Sequence, residues 1–534
     1  MDVFLLFLVS VPVSEVIGVK EGRIEIQSQK KVEDTDLDFT LFYVKRSSKG
    51  NGIGAPWSLG RTQFCCPSRG VRDQWITQLQ SALKTHSPSR PHRLLVFINP
   101  FGGKKRGKQI FHSLVAPLFE LAGISSHVVV TERANQARDY ILKKDLTGFD
   151  VICVGGDGMF SELMHCVIGR TQKEAGISEH DPTVMLQPCD LHIGIIPALQ
   201  IVCFTTIGIN DPVTSTLHII IGDSQPLDVC SVHYQSTLVR YSVSMVGYGF
   251  YGDVLAESER HRWMGPLRYD YSGCMVYLCN RSYPGLVQYL PADSHISSPR
   301  DNTRCLSGCR VCSESKERLF PHFDSSSSLY STNVSQYSSE LEGEWVTVEG
   351  RLKCISLACI SSSCPRSPKG LSPSAHLADG TADLILVRET NPLGFLTYLH
   401  RHTNTQDQFD LPFVEVHRVK AVWFSLPPGE EEEEEEYEEG DREMQKLSSS
   451  NAAGHSQQHL AGRKERGNVT ASRVKRRGFV CGPCCTKPRS ISVWNCDGEI
   501  LPHTKISCSN EIKLILLYAR AVRETVYEMR AHMK

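Results

Sequence analysis

The sequence predicts three structural units: a small β-rich module, an α/β domain, and a β-rich domain of the β-sandwich type. Three observations indicate this order. Short alternating apolar runs precede an amphipathic helix before residue 88. Strand and helix patterns then alternate from residue 89 to residue 225, as in a parallel sheet with crossover helices. From residue 226 onward, helical patterns become rare and β runs dominate.

The composition predicts a globular protein with a sizeable core and gives no overall electrostatic case for nucleic acid. The 534 residues are 40% hydrophobic and carry a formal net charge of -1, whereas domains that bind nucleic acid are usually basic. The 20 cysteines are expected to be mostly reduced thiols. The apolar start Met1–Val9 has an acidic residue where a signal peptide has basic ones, so we expect a cytoplasmic protein. No run reaches the ~20 apolar residues of a membrane span, so any membrane contact should be peripheral.

The first 88 residues resemble part of a pleckstrin-homology module. Strand patterns at Val16–Val19 and Phe39–Val44 precede a predicted helix at Val71–Leu83, which carries a buried Trp75. The opening strands of such a module are missing or replaced. A phosphoinositide contact is therefore one interpretation, and a β-rich appendage without a lipid site is the other. Ser87–His92, with two prolines, is predicted to be a linker.

The α/β domain, residues 89–225, contains four predicted strands and three predicted helices. The strands are 94–98, 127–131, 151–154 and 193–196, and the helices are 109–122, 135–143 and 160–168. In open parallel sheets, ligands bind at the carboxyl ends of the strands. The loops after Ile98, Thr131 and Val154 are therefore predicted to face one cleft.

The β-rich domain is predicted to span residues 226–522, followed by a tail at 523–534. Two stretches within it are predicted to be disordered inserts. The first, at about 295–343, is rich in serine and cysteine. The second, at about 427–478, contains an acidic run and then a basic one, and such charge blocks are usually solvated linkers.

Two glycine-containing loops follow strands of the α/β domain. The first strand runs into Asn99–Gly107, which is rich in glycine and basic residues, and the third runs into Gly155–Gly158, which surrounds Asp157. Backbone amides, a helix start and lysines together neutralise phosphate, and glycine allows the backbone to approach a ligand closely. The first spacing is not that of a P-loop, and alone it fits an ordinary strand-to-helix turn. Because both loops lie at strand ends of one sheet, we interpret them as one phosphate site containing a base.

These motifs resemble, in matching order, those of the diacylglycerol and sphingosine kinase superfamily. They are Asn99–Lys104, Thr131–Asn135, Gly155–Glu162 and Asp497–Glu499. Further motifs are similar in detail to those of the ceramide kinases: Gly247–Asp253, the cysteine group at 305–312, His376–Gly380 and Gln406–Asp410. The resemblance spans nearly all of residues 93–520. It implies a nucleotide-binding catalytic domain, a lipid-binding C-terminal domain, and transfer of the γ-phosphate of ATP, with Mg²⁺, to a lipid hydroxyl.

The resemblance also implies roles for individual residues. Asp157 is the expected general base, because phosphoryl transfer needs positioning, electrostatic stabilisation and one proton acceptor near the attacking oxygen. Arg262 and Arg268 match phosphate-binding arginines, whose forked guanidinium suits phosphate oxygens. The expected substrate-binding residues are Gly155, Gly156, Asp157 and Gly158. The expected ATP-binding residues are Asn99, Pro100, Phe101, Gly102, Gly103, Thr131, Glu132, Arg133, Ala134, Asn135, Glu162, Arg262, Arg268, Asp497, Gly498 and Glu499.

One local feature favours ceramide as the lipid substrate. Sphingosine kinases look different near the residues that match Asp253, since they place an acidic residue two positions later, where this chain has Leu255. Leucine cannot compensate a cationic amine, so a neutral amide lipid fits better. Phosphorylation of diacylglycerol or sphingosine remains the alternative. The basic and apolar stretch Phe413–Phe424 fits either a contact with calmodulin or a membrane, or a strand of the β-rich domain, and the strand is favoured.

Cys305, Cys309 and Cys312 form a C-x3-C-x2-C group. Thiolates at such spacing can hold a structural Zn²⁺, but the chain lacks a clean pair of CxxC motifs. Structural zinc and free structural thiols are therefore both open. Further cysteines lie at 354, 359, 364, 481, 484 and 485.

The chain departs from the superfamily at a third glycine loop. After the strand at 193–196 the family has Pro-Ala-Gly, then Ser or Thr and a nearby Asp or Asn, whereas this chain has Pro197-Ala198-Leu199-Gln200. Leucine cannot replace glycine where the backbone must meet a phosphate or a lipid head group. A catalytically impaired lipid- or nucleotide-binding variant is therefore the alternative to an active kinase.

Overall fold

A computed structural model describes residues 11–22, 36–46, 55–102, 105–182, 184, 186–197, 201–222, 224–292, 298–305, 309–319, 343–404, 406–427 and 491–518. The predicted order of a β module, an α/β domain and a β-rich domain is confirmed by the element order. Within these ranges, no helix is both long and apolar enough to span a bilayer.

The N-terminal module is a three-stranded antiparallel sheet closed by one helix. Its elements are β1 (Val16–Glu21), β2 (Asp38–Arg46), β3 (Trp57–Cys65) and α1 (Arg69–His86). The sequence pattern did not predict β3. The prediction of a buried Trp75 was wrong, because Trp75 is only partly buried and Ile76 and Leu79 fill the core beneath α1.

This module packs directly against the α/β domain. The ring of Trp57 stacks on His218 with centroids 3.9 Å apart, and the Trp57 amide donates to Thr214 Oγ1 at 3.0 Å. Arg90, within the predicted linker, donates to the carbonyl of Val16 at 2.6 Å. The connecting segment is therefore fastened to the module.

The α/β domain has a parallel sheet in the order β7-β6-β4-β5. All four predicted strands are confirmed, and the third predicted helix, α5, is longer than expected. The strands are β4 (Arg93–Ile98), β5 (Ser125–Val130), β6 (Asp150–Gly155) and β7 (His192–Pro197). The helices are α2 (Gly107–Ile110), α3 (Ala116–Leu121) after a π-helical turn at Phe111–Val115, α4 (Gln136–Lys143), α5 (Asp157–Ala175), α6 (Ile201–Ile207) and α7 (Pro212–Ile221).

The β-rich domain contains ten strands and four helices within the described ranges. The strands are β8 (Ser224–Tyr234), β9 (Thr237–Ser242), β10 (Met245–Gly249), β11 (Tyr283–Pro291), β12 (Val346–Ala358), β13 (Ala382–Arg388), β14 (Val414–Ser425), β15 (Asn495–Cys496), β16 (Glu499–Ile500) and β17 (Ile506–Tyr518). The helices are α8 (Phe250–Arg260), α9 (Leu267–Cys279), α10 (Arg310–Leu319) and α11 (Pro392–Arg401).

Two expectations for this domain need comment. The stretch 295–343, expected to be a disordered insert, contains α10. From residue 428 onward, the stretch 427–478 lies outside the described residues, as do 481, 484 and 485. The favoured interpretation of Phe413–Phe424 as a strand agrees with β14, which pairs with β11, β13 and β17.

One hydrogen-bonded sheet runs through both large domains. β17 pairs antiparallel with β8 and β14, and its last residues pair parallel with β7 at Leu516 and Leu517. In the β-rich domain, β12 and β14 each pair with both β11 and β13, so these four strands form a closed circuit. Buried apolar clusters cover both faces of the parallel strands. This arrangement fixes the carboxyl ends of β4 and β6 beside the β9–β10 connection.

Candidate active site

The first glycine loop is folded by its own asparagine. Asn99 Oδ1 accepts hydrogen bonds from the amides of Phe101 at 2.9 Å and Gly102 at 3.0 Å, which makes a tight turn. A Cβ at Gly102 would lie 3.2 Å from the Asn99 side chain. Phe101 is largely exposed, Pro100 is half-buried, and Gly103 lies outside the described residues.

The second glycine loop lies beside the first. The Asn99 amide donates to the Val154 carbonyl at 3.1 Å, and a Cβ at Gly155 would lie 3.6 Å from Asn99 Cβ and 3.2 Å from Met159. Gly156 is the N-cap of α5 and is extended. A Cβ at Gly158 would meet no atom within 4 Å. Packing is therefore tight at position 155 and leaves open space above position 158.

Asp157 is the first residue of α5 and lies at the carboxyl end of β6. Its Oδ1 accepts a hydrogen bond from the Ile201 amide at the start of α6, at 3.0 Å. Burial raises the pKa of Asp157 to about 6, the amide of Ile201 opposes that rise, and the nearby Asp497 adds to it. The side chain is therefore a base that is mostly ionised at neutral pH and easily protonated below it.

The third predicted segment continues from β5 and caps α4. Thr131 is buried and its amide donates to the Ile98 carbonyl at 2.9 Å, so it follows the strand next to Asn99. The Glu132 amide donates to Gln136 at 2.6 Å, and Arg133 pairs with Asp139 and donates to the Ala134 carbonyl. Asn135 has φ 58°, a left-handed conformation that asparagine tolerates.

Glu162 connects this segment to α5. Its Oε1 accepts from the Arg138 amide in the first turn of α4, at 3.4 Å, and burial raises the pKa of its carboxyl. An acid at a helix start is favourable because the helix dipole is positive there. Glu162 therefore ties α4 to α5 beneath the strand ends.

Asp497 is fully engaged with the backbone of the β9–β10 connection. Its carboxylate accepts from Ser242 Oγ and from the amides of Val243, Ser244 and Met245, at 2.8 to 3.0 Å. Burial raises the pKa of Asp497, and these donors oppose the rise. Asp497 thus fixes a bend near Asp157, and its role in ATP binding stays a prediction.

Gly498 and Glu499, which follow Asp497, form further contacts that lead to α5. Gly498 is left-handed at φ 87°, and its amide donates to Asn495 at 2.8 Å. Glu499 pairs with Arg240 at 2.6 Å, and Arg240 donates to Ser161 of α5 at 3.1 Å. The segment 497–499 therefore joins the C-terminal strands to the helix that carries Asp157.

The structure does not bring Arg262 and Arg268 into contact with the glycine loops. Arg262 is largely exposed and pairs with Glu259. Arg268 pairs with the same carboxylate at 3.2 Å and donates to the Tyr269 hydroxyl. Among the described residues, neither arginine forms a hydrogen bond or an ion pair with residues 99–102 or 155–158. Their role in phosphate binding stays a prediction.

Two further predictions fall at the edges of the described residues. The unusual loop at 198–200 lies outside them, although α6 begins immediately afterward at Ile201. The cysteines 305, 309 and 312 do lie together, and His376 joins them. The sequence does not assign His376 to this group, because a single histidine 64 residues from a cysteine carries no spacing signal.

Comparison with known protein families identifies the class of the α/β domain. A diacylglycerol kinase catalytic domain model matches residues 93–232, so the chain is an ATP-dependent lipid kinase. Models of a ceramide kinase PH domain and a ceramide kinase C-terminal domain match residues 8–79 and 308–457. Together with the relatives described next, these matches show that the chain belongs to the ceramide kinase family.

The relatives span most of the chain. It is 42% identical to human ceramide kinase over 524 residues, covering 96% of this chain and 89% of that one. Mouse ceramide kinase is also 42% identical, with 96% and 90% covered, and ceramide kinase 1 of Caenorhabditis elegans is 32% identical, with 69% and 63% covered. Among solved structures, a diacylglycerol kinase from Bacillus anthracis str. Sterne is similar with a TM-score of 0.44 at 13% identity, covering 80% of this chain and 97% of that one.

Proposed function

We propose that this protein transfers the γ-phosphate of ATP to the primary hydroxyl of ceramide, giving ceramide 1-phosphate and ADP. One observation carries the proposal beyond family membership. The carboxyl of Asp157 lies at the start of α5, beside the Asn99 loop, with its pKa raised to about 6. A base with a pKa near the working pH is suited to accept the proton of an attacking hydroxyl.

In the proposed reaction, Asp157 accepts the proton of the lipid hydroxyl as its oxygen attacks the γ-phosphorus. The new oxygen–phosphorus bond forms while the bond to the leaving ADP breaks. The Ile201 amide holds one oxygen of Asp157 and thereby orients the carboxylate. Mg²⁺, when bound with ATP, would supply positive charge that offsets the charge of the phosphates.

The open space above Gly158 fits a phosphate or the lipid head group. Glycine at 158 leaves room above the first turn of α5, where helix amides and the helix dipole favour anions. Asn99 and Thr131 would border the nucleotide from neighbouring strand ends, and Glu162 from α5. Arg262 and Arg268 would have to turn away from Glu259 to reach a phosphate.

The environment of Asp253 supports a neutral lipid as substrate. Its carboxylate is buried and accepts from the Tyr283 hydroxyl and, at 2.6 Å, from Ser492 Oγ. Leu255 is buried as well. Asp253 is thus already stabilised by hydroxyl donors, so it offers less attraction to the amine of sphingosine than an unpaired carboxylate would.

Peripheral membrane contact fits an exposed apolar surface on two adjacent helices. We call it the α9–α11 surface. Tyr277 of α9 donates to the Pro392 carbonyl at the start of α11, at 3.0 Å, so the end of α9 lies against the start of α11. The exposed side chains are Leu267 and Leu278 of α9 and Leu393 and Leu396 of α11, with Trp263 in the 3-10 turn just before α9. Such a patch is unusual on a protein surface exposed only to water, and ceramide is a membrane lipid.

Two other partners remain weaker proposals. A phosphoinositide contact by the N-terminal module rests on its fold resemblance alone. Calmodulin binds amphipathic helices, so Phe413–Phe424 would have to leave the three strands paired with β14 before it could bind.

The substrate proposal is tested by offering ceramide, diacylglycerol and sphingosine in matched micelles to the purified full chain with ATP and Mg²⁺. We expect ceramide to be phosphorylated with the highest kcat/KM. Preference for diacylglycerol or sphingosine would contradict the assignment. ATP binding without turnover of any of the three would instead support an impaired variant, and restoring a Gly-Ser-Thr-Asp loop after Ala198 should then recover activity.

A further inference from the structure

A cluster of three thiols and one imidazole is formed by residues outside those predicted to bind ATP or the lipid substrate. Cys305 precedes a short connection, and Cys309 and Cys312 lie at the start of α10. The ligand atoms of these cysteines and of His376 all lie within 4.8 Å of one another. Cys305 Sγ is 3.7 Å from Cys312 Sγ, and Cys309 Sγ is 3.2 Å from His376 Nδ1. Two segments more than 60 residues apart thus converge on one point.

We infer that Cys305, Cys309, Cys312 and His376 together bind one structural Zn²⁺. Three thiolates and one imidazole form a complete tetrahedral donor set of the closed, structural kind. With zinc–sulfur bonds of about 2.3 Å, a tetrahedron has sulfur–sulfur edges of about 3.8 Å, which the Cys305–Cys312 distance matches. Carboxylates are absent from this group, so hard cations such as Mg²⁺ and Ca²⁺ fit poorly.

The surroundings of the cluster resemble those of a built metal site. The Leu377 amide donates to Cys305 Sγ at 3.4 Å, a contact that stabilises a thiolate. Asp379, three residues after His376, is buried, and ligand histidines are commonly supported by carboxylates. None of the other described cysteines joins the group: Cys354 and Cys359 are buried in β12 and its end.

The metal would link α10 to the loop that contains His376, and this loop is bonded to β8. Ser315 of α10 donates to the Asp379 carbonyl at 3.1 Å. The same loop is held to β8, because Asp228 donates from its amide to Leu377 and accepts from the Gly380 amide at 2.7 Å. Zinc would therefore connect the start of α10 to the strand that follows the α/β domain, independently of the proposed kinase activity.

The direct test is the metal content of the full chain, expressed with added zinc and purified without chelators. We expect about one equivalent of Zn²⁺ by elemental analysis, released when a mercurial reagent modifies the thiols. Cobalt in place of zinc should give the absorption bands of a tetrahedral site with thiolate ligands. Less than a tenth of an equivalent of zinc, or a disulfide between any two of these cysteines in freshly purified protein, would overturn the inference.

Variants identify the ligands without relying on activity. His376→Ala should lose most of the zinc, whereas His376→Cys should keep it, because a four-cysteine set also binds zinc. Cys274→Ser, at an exposed thiol of α9, is the matched control and should keep one equivalent. Full zinc content in a folded His376→Ala protein, with folding judged by circular dichroism, would remove His376 from the site.

Discussion

Asp157 illustrates how one side chain can serve in both the fold and the chemistry. Its carboxylate caps the start of α6 through the Ile201 amide while it lies at the strand edge beside Asn99. Burial is the main reason for its raised pKa. A buried carboxyl with a raised pKa at a strand edge is consistent with the proposed role of Asp157 as a base.

The pH dependence of the reaction should report this carboxyl. A carboxyl with a raised pKa is the active base above that value and loses the base form as the pH falls through it. We therefore expect kcat/KM for ceramide to be level above pH 7 and to fall about tenfold per unit below pH 6. The measurement is a profile from pH 5 to 8 in one buffer series, with circular dichroism as the control for folding. A flat profile down to pH 5 would contradict the proposal.

A substitution at Gly158 distinguishes an effect on ligand binding from an effect on protein packing. Alanine at this position meets no protein atom and replaces glycine in a helix, so Gly158→Ala should leave the protein as stable or slightly more stable, by up to ~1 kcal/mol. If a phosphate or lipid head group approaches there, kcat/KM should fall at least about tenfold.

The control for Gly158 is another glycine that packing does require. Gly249 has φ 75°, and a Cβ there would lie 2.4 Å from the Lys353 carbonyl. Gly249→Ala should therefore lower the thermal midpoint. Unchanged kinetics in Gly158→Ala would show that no ligand uses the space above it.

His376 shows the limit of sequence reasoning at the residue scale. The glycine loops could be predicted because their residues are close in sequence and follow strand patterns. The fourth ligand of the proposed zinc site could not be predicted, because folding alone brings it to the cysteines. The same limit explains the bonds of Asp497 to residues 242–245, more than 250 positions away.

At the scale of helices and strands, the parallel strands were predictable and several helices were not. β4 to β7 are buried apolar runs bounded by turn residues, which is a strong local signal. α9 has only Ser272 fully buried, so it lacks the apolar stripe that a helix packed against a core usually shows. The pattern does not predict this helix because Leu267 and Leu278 are exposed and its other apolar residues are at most partly buried.

The exposed leucines of the α9–α11 surface lead to a prediction about membrane binding. Leu267 and Leu393 are 66% and 76% exposed on the α9–α11 surface. Burying each leucine in a bilayer should contribute about 1.5 kcal/mol or more. Replacing either by Asp should weaken binding to ceramide-containing phosphatidylcholine vesicles at least about tenfold in a sedimentation assay. Leu114→Asp, at an exposed site on the α/β domain, is the control, and equal effects at all three positions would contradict a specific surface.

At the scale of the molecule, the N-terminal module and the α/β domain share one core. Ile17, Phe42, Val44 and Trp57 belong to the same buried cluster as the strands that carry the site. Gly18 lies so close to the Leu121 carbonyl that a Cβ would come within 2.5 Å of it. The sequence suggested separable units because the proline-containing segment at 87–92 looks like a linker. The contacts that join them come from residues distant in sequence.

Because the N-terminal module and the α/β domain share a core, we expect them to unfold together. Trp57→Ala removes a stacked ring from that core and should cost about 3 to 5 kcal/mol. The loss should appear as a lower temperature midpoint for unfolding of the α/β domain. The unfolding is monitored by the loss of kinase activity and by scanning calorimetry. Phe64→Ala, at an exposed position of the same strand, should have a much smaller effect. A separate low-temperature transition for the module, with the α/β domain unaffected, would show that the two units are independent.

The central claim is that the chain phosphorylates ceramide with Asp157 as the base. The most direct measurement compares ceramide 1-phosphate formation by wild-type protein and Asp157→Asn, which keeps an oxygen to accept from the Ile201 amide. Asp145→Asn, at an exposed turn, is the control. We predict activity in the wild type and the control and a loss of about 100- to 10,000-fold in Asp157→Asn. Wild-type-like turnover in folded Asp157→Asn would contradict the assignment of the base.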